Sequence, residues 1–119
     1  KLRKQGVEVT GWLTRPEVIS HVKGLDLYFH SAAWDGFPIS VLEASNLNIP
    51  ILLREIGPFS SEGLNTLASL KEAENEIKSF AAGSAESLQR AKENTLKIQE
   101  HHSVENLRNA LYNIYSRFQ

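Results

Sequence analysis

The sequence has no cysteine, no methionine, almost no excess charge and no long apolar run. Without thiols there are no disulfides and no thiolate metal sites, which fits a reducing compartment. A net charge of −1 gives no bulk attraction to nucleic acid or to anionic lipid, so no nucleic-acid partner is expected. No stretch approaches the ~20 apolar residues that span a bilayer. The basic opening "KLRKQGVEVTG" is not followed by the apolar segment of a secretory signal. Internal repeats and low-complexity segments are also missing. With no methionine at its start and a strand-like segment almost at once, the chain reads as a fragment of a larger protein. On that reading residues 1–119 are a single partial domain whose N-terminal part has been removed; processing of a short leader is the other reading.

What is present is ordinary globular composition, 41% apolar and 23% charged over 119 residues, enough for one domain with a modest core. "VEVTGW" (7–12) is short, β-branched and closed by Gly11, so it reads as a strand. In "LTRPEVISHVKG" Thr14 and Glu17 have capping-box spacing, Pro16 sits near the start and Gly24 supplies a left-handed stop, which predicts a helix with Val18, Ile19 and Val22 on one face. "LDLYFHS" (25–31) is a second strand, and "PISVLEASNLN" (38–48) a helix beginning at Pro38 with Val41, Leu42 and Leu47 inward. Asn48, which tolerates the left-handed conformation, and Pro50 stop that helix. "IPILLRE" (49–55) is apolar almost throughout, the pattern of a parallel strand covered on both faces.

The order β-α-β-α-β with short links predicts an α/β fold, a Rossmann-like parallel sheet with flanking helices. "GLNTLASL" (63–70) offers a further short edge strand. The last third is helical: "EAENEIKSFAAG" ends at Gly83, Ser84 caps a helix carrying Leu88, Ala91, Thr95 and Ile98, and Ser103 caps another. In the last helix Val104, Leu107, Leu111, Ile114 and Phe118 form an apolar stripe, core-facing by default, with a partner helix as the other reading.

Ligands of open parallel sheets bind outside the carboxyl ends of the strands. The loop after Phe29, "HSAAWDGFP", leads into a helix N-terminus with Gly36 and Phe37 just ahead of it. Helix starts present unpaired N–H groups and the positive end of the dipole, a natural seat for phosphate. The amides of Ile39 and Ser40 are the candidate donors, and Gly36 permits close backbone approach. Asp35 precedes the helix, and Glu43 lies ~7–8 Å along its axis from Pro38 at 1.5 Å per residue. Two carboxylates flanking a phosphate seat suit hydroxyl groups on either side of a diphosphate, as in a nucleotide sugar. The plain alternative is a loop acid and a solvated helix acid. Phe37 also fits as a core residue, Trp12 and Trp34 either stack on a ligand or pack, and His30 is either a site neighbour or a hydrogen-bonded structural histidine. His21, His101 and His102 read as surface positions, and no metal site is spelled out. No Gly-x-Ser-x-Gly elbow is present to make a hydrolase triad of His30, Ser31 and Asp35.

The stretch "GLDLYFHSAAWDGFPISVLEASNLNIPIL" resembles the signature region of retaining GT-B glycosyltransferases of group 1, and "HHSVENLRNALYNIY" is similar to the closing helix of their donor-binding domain. The resemblance implies the C-terminal half of a GT-B fold. It also implies transfer of a sugar from a nucleotide-sugar donor to a polysaccharide, lipopolysaccharide or other glycan acceptor, lipid-linked acceptors included. By that resemblance Asp35, Gly36 and Phe37 meet the donor sugar, Ile39 and Ser40 the diphosphate, Glu43 the ribose, and Gly11 and Trp12 lie beside the base. No side chain is implied as a covalent catalyst, and no metal or other cofactor is needed. The partner it implies is a separate N-terminal domain of the same chain holding the acceptor, which would leave this fragment alone inactive. The implied location is cytoplasmic or at the inner face of the membrane. Three positions depart from the pattern: Asp35 stands for Glu, Asn48 for Gly, and the "REIGPFSSEG" loop has no Gly-Gly. The reading from another class is a noncatalytic, glycosyltransferase-like α/β module for binding or assembly.

Overall fold

The computed structural model describes residues 3–118. After one 3-10 turn at Arg3–Gln5, the elements are α1 (Arg15–Lys23), β1 (Tyr28–His30), α2 (Ile39–Asn46), β2 (Ile51–Arg54), α3 (Gly57–Ser60), β3 (Thr66–Leu67), α4 (Leu70–Ala81), α5 (Ala85–His101) and α6 (Val104–Ser116). The three strands form one parallel sheet in the order β1-β2-β3, with Phe29 opposite Leu52 and Leu53 opposite Thr66. This is the α/β arrangement expected: a Rossmann-like parallel sheet with helices packed on it.

The local signals act where they were read. Glu17 Oε2 accepts from the Thr14 N–H at 2.7 Å, the return arm of a capping box. Ser84 and Ser103 accept from the amides of Ser87 and Asn106 and so start α5 and α6; Ser69, not read as a cap, accepts from the Glu72 amide and starts α4 at Leu70, two residues earlier than the sequence suggested. Asn48 closes α2 at φ 58°, and Gly83 ends the α4 turn at φ 84°. Gly24 differs from expectation: at φ −86° it is not left-handed, and α1 stops through short-range bonds from Gly24 N–H to His21 O and Leu25 N–H to Val22 O.

β2 is the spine. Ile51, Leu52 and Leu53 are all buried, and since successive side chains point to opposite faces, both faces are covered. Ile51 and Leu53 meet Val41, Phe59 and Ile98 in the main cluster. Two polar side chains of α5 complete that face. Asn94 Nδ2 donates to Ile51 O at 2.9 Å and to Asn65 O at 3.0 Å, while its Oδ1 accepts from Asn65 N–H at 2.8 Å. Thr95 Oγ1 donates to Ile49 O at 2.6 Å. Asn94 thus pairs with the backbone of Asn65 as a neighbouring strand would, ahead of the point where β3 begins.

Two larger expectations also fail. Residues 7–12 form no strand: Val7 and Val9 are exposed, and the sheet begins at β1. Alternation marks a segment that fits a pleated surface, but a strand exists only where a partner and a covered face are supplied from elsewhere in the chain. The α6 stripe is likewise not in the core: Val104, Leu107, Leu111, Ile114 and Phe118 are all exposed, and no residue of α6 is buried. The helix extends from the body, so the radius of gyration is 16.3 Å where a compact chain of this length has about 13.5 Å. The amphipathic pattern reports that an apolar face exists, and packing decides whether it is covered. The short helix α3 was not foreseen; its Phe59 is fully buried at the centre of the core.

Candidate functional site

The carboxyl end of β1 delivers the chain to the loop of residues 31–37 and then to α2. Pro38, buried and extended (φ −71°, ψ 133°), is the N-cap, so the helix starts one residue later than its sequence suggests. The Pro38 carbonyl accepts from Val41 N–H at 3.1 Å and Leu42 N–H at 3.4 Å. That leaves Ile39 and Ser40 as the first two amides, which have no carbonyl ahead of them within the helix, and no side chain caps this end. Such a pair of donors at the positive end of a helix dipole is suited to an anionic group. A Cβ placed on Gly36 would meet nothing within 4 Å, so no protein contact demands glycine there.

The loop residues fall on two supports. Phe37 turns inward and meets Phe59 edge-on at 5.4 Å and His102 at 4.1 Å. His102 Nε2–H in turn donates to Glu62 at 2.9 Å, with His101 also within 3.4 Å of that carboxylate. Phe37 is therefore both a core residue and the anchor of the loop. His102 is exposed, as its sequence position suggested, and is also part of that anchor. The second support is His30, 9% exposed, which also meets Phe59, near-perpendicular to it with ring centroids 5.7 Å apart. Its Nε2 lies 3.7 Å from Asp35 Oδ2 and makes no hydrogen bond, so the hydrogen-bonded structural role does not apply.

Glu43 lies four residues beyond Ile39, about 6 Å along the axis and on the same helix face. It is partly covered, and Arg15 at the start of α1 approaches its Oε1 at 3.8 Å. Gly11 and Trp12, in the turn that leads into α1, thus stand close in sequence to the residue that touches Glu43; Gly11 has φ 68°. The indoles of Trp12 and Trp34 are both exposed, so neither packs in the core. The structure brings Asp35 to His30 and Phe37 to Phe59 and His102. It places the free amides of Ile39 and Ser40 between Asp35 and Glu43 in sequence.

Two cations at this edge went unremarked in the sequence. One is Arg15. The other is Arg54, the last residue of β2, whose Nη1–H donates to Ser31 O at 3.3 Å and ties the β1 loop to the neighbouring strand end. A positive residue ending an apolar strand was the available signal. A small cavity of about 70 Å³ lined by Phe29, Ser31, Arg54, Leu67 and Ala73 opens on the opposite face of the sheet from His30 and includes none of the predicted site residues. Among the described residues no cluster of His, Asp and Glu side chains is arranged to hold a metal ion, and no helix is long and apolar enough to cross a membrane.

The sequence pattern of the family described as glycosyl transferases group 1 matches residues 2–62, just over half of the chain and all of the loop-helix site. The chain belongs to that family. Searches of curated proteins and of solved structures found no significant match. As a group 1 glycosyltransferase domain it has a role in glycosyl transfer, and the matched segment includes Asp35, the α2 N-terminus and Glu43.

Proposed function

We propose that this chain is the donor-binding, C-terminal domain of a retaining GT-B glycosyltransferase, one partial Rossmann-like domain of a larger protein. The observation that carries the reading is the uncapped start of α2, whose Ile39 and Ser40 amides lie between a carboxylate before the helix and another on its first turns. In this reading the diphosphate of a nucleotide sugar occupies those two amides. Asp35, Gly36 and Phe37 face the sugar, with Phe37 setting the loop height. Glu43 accepts from the ribose hydroxyls in charge-assisted bonds. Gly11 and Trp12 border the base. The helix dipole and the amides stabilise negative charge that grows on the leaving diphosphate, so the domain's part in the reaction is orientation and electrostatic support. An N-terminal domain of the same protein holds the glycan or lipid-linked acceptor, and the whole works in the cytoplasm, at the inner membrane face where the acceptor is lipid-linked. The nucleotide sugar is a substrate, and no further cofactor takes part.

Site-resolved titration tests this. UDP, GDP and ADP are each added to the chain while the backbone amides are followed by nuclear magnetic resonance. At least one nucleotide should shift Ile39 and Ser40 first. Glu43→Gln should weaken that nucleotide about tenfold, the scale of one lost hydrogen bond to a charged group. No response to any of the three nucleotides, or equal binding by the variant, would sink the donor-site reading and leave the noncatalytic module.

A further inference from the structure

Buried polar side-chain atoms nearly always have a partner, and one that has none calls for an explanation. Among the described residues one buried side-chain atom has no hydrogen bond: Nε2 of His30. Its ring cannot easily turn away, because it ends β1 with 9% exposure and stands edge-on to the fully buried Phe59. What faces Nε2 is Asp35 Oδ2, at 3.7 Å. That is beyond the 2.7–3.2 Å of an N–H···O bond, yet less than ~1 Å of approach closes it. Of the two groups, the carboxylate is the one with room to move: it sits in the irregular loop before α2 with about a third of its surface exposed.

We propose that His30 is a positioning residue for Asp35. Its Nε2–H donates to Oδ2 and turns that oxygen inward, so that Oδ1 faces outward as the acceptor for a hydroxyl of the donor sugar. This rests on the donor-site reading of Asp35. The nitrogen must carry the hydrogen, since a carboxylate at neutral pH only accepts. Held at one oxygen, the aspartate keeps a fixed direction; without the bond it turns freely about its last torsion, and the hydroxyl meets a mixture of orientations. The arrangement gives a short carboxyl group, one methylene less than a glutamate, the rigidity of the strand end behind it. It also accounts for a ring nitrogen buried with nothing else to bond.

The test has a ligand-free arm and a ligand arm. In the chain alone, long-range ¹⁵N–¹H spectra should show His30 as the Nε2–H tautomer, and Asp35→Asn, a change in an exposed loop, should shift the His30 ring signals. Ring signals indifferent to Asp35→Asn overturn the proposal whatever binds. The ligand arm compares UDP-glucose with UDP, GDP-mannose with GDP, and ADP-glucose with ADP. For the pair that binds, His30→Phe, which keeps a ring against Phe59, should cut the preference for the sugar nucleotide about tenfold while leaving the bare nucleotide unchanged. His30→Gln, whose amide donates from a similar reach, should restore most of it. An unchanged preference in His30→Phe, or no rescue by His30→Gln, refutes positioning. Failure of the donor-site reading looks different: Glu43→Gln then leaves the bare nucleotides unaffected while the ligand-free arm still reports on the His30–Asp35 bond.

Discussion

Asn94→Ala removes a side chain that is 1% exposed and makes three hydrogen bonds to backbone. The truncation leaves the Asn65 N–H and the carbonyls of Ile51 and Asn65 without that partner. A buried group left unpaired costs about 1–3 kcal/mol. Ile51 O sits beneath fully buried residues and bears the full penalty, whereas Asn65 is half-buried and its two groups can turn partly to water. The sum comes to about 3 kcal/mol. At roughly 3–5 °C per kcal/mol for a chain of this size, Tm should fall by about 9–15 °C. Asn94→Leu refills the volume without the bonds and should recover little of the loss. Asn94→Asp keeps the shape but sets a carboxylate against two carbonyl oxygens, and should be at least as damaging near neutral pH. Thermal melts by circular dichroism, with urea titrations to check that m is unchanged, read all three. An Asn94→Ala chain within ~3 °C of the parent, or an Asn94→Leu chain equal to it, would mean that the other α5 contacts, Ala91, Thr95 and Ile98, hold the helix and that the Asn94 pairing contributes nothing.

Two further outcomes follow from the same geometry. The Thr14 backbone N–H, and then the Thr14 side chain, bond the Glu17 carboxylate and hold its pKa below the ordinary carboxylate value. The ionised form therefore supports α1 at pH above the unfolded-state value, and that support disappears as pH falls through the lower folded value. The protection of the Thr14 amide, its exchange rate taken relative to the intrinsic rate at each pH, should fall on acidification in the parent and lose that dependence in Glu17→Gln. On α6, Leu111→Ala should shift stability by no more than ~0.5 kcal/mol because its side chain is exposed. Ile98→Ala, at 0% exposure on α5, should cost about 2–5 kcal/mol, and urea midpoints separate the two.

Much of the architecture was legible because helix starts and stops are local chemistry. Ser84, Ser103 and the Thr14–Glu17 pair act on amides within three residues of themselves. The run Ile51–Leu53 announced its double burial by leaving no polar face. What stayed hidden depends on distant partners. Val7 and Val9 alternate like a strand, but alternation does not supply the neighbour that makes one. The α6 stripe reads like a core face because sequence periodicity says nothing of where the helix goes. Phe59 was obscured by its setting, Gly-Pro-Phe-Ser-Ser, which has the composition of a loop yet coils into α3 and fills the centre. Around the α2 start, the positions of Asp35 and Glu43 on either side of the first amides, and the inward turn of Phe37, were readable from sequence. The roles of Arg15, Arg54 and His102 arise only from contacts that folding creates.

Phe59 has one more consequence. Its ring packs near-perpendicular to both His30 and Phe37 and is fully buried. The loop that presents Asp35 therefore hangs from the same six-carbon disc that fills the middle of the molecule. Heating should not soften this loop ahead of the body: its geometry and the global fold should vanish in a single transition. A substitution chosen to loosen the loop from within would be felt as lost stability throughout the chain.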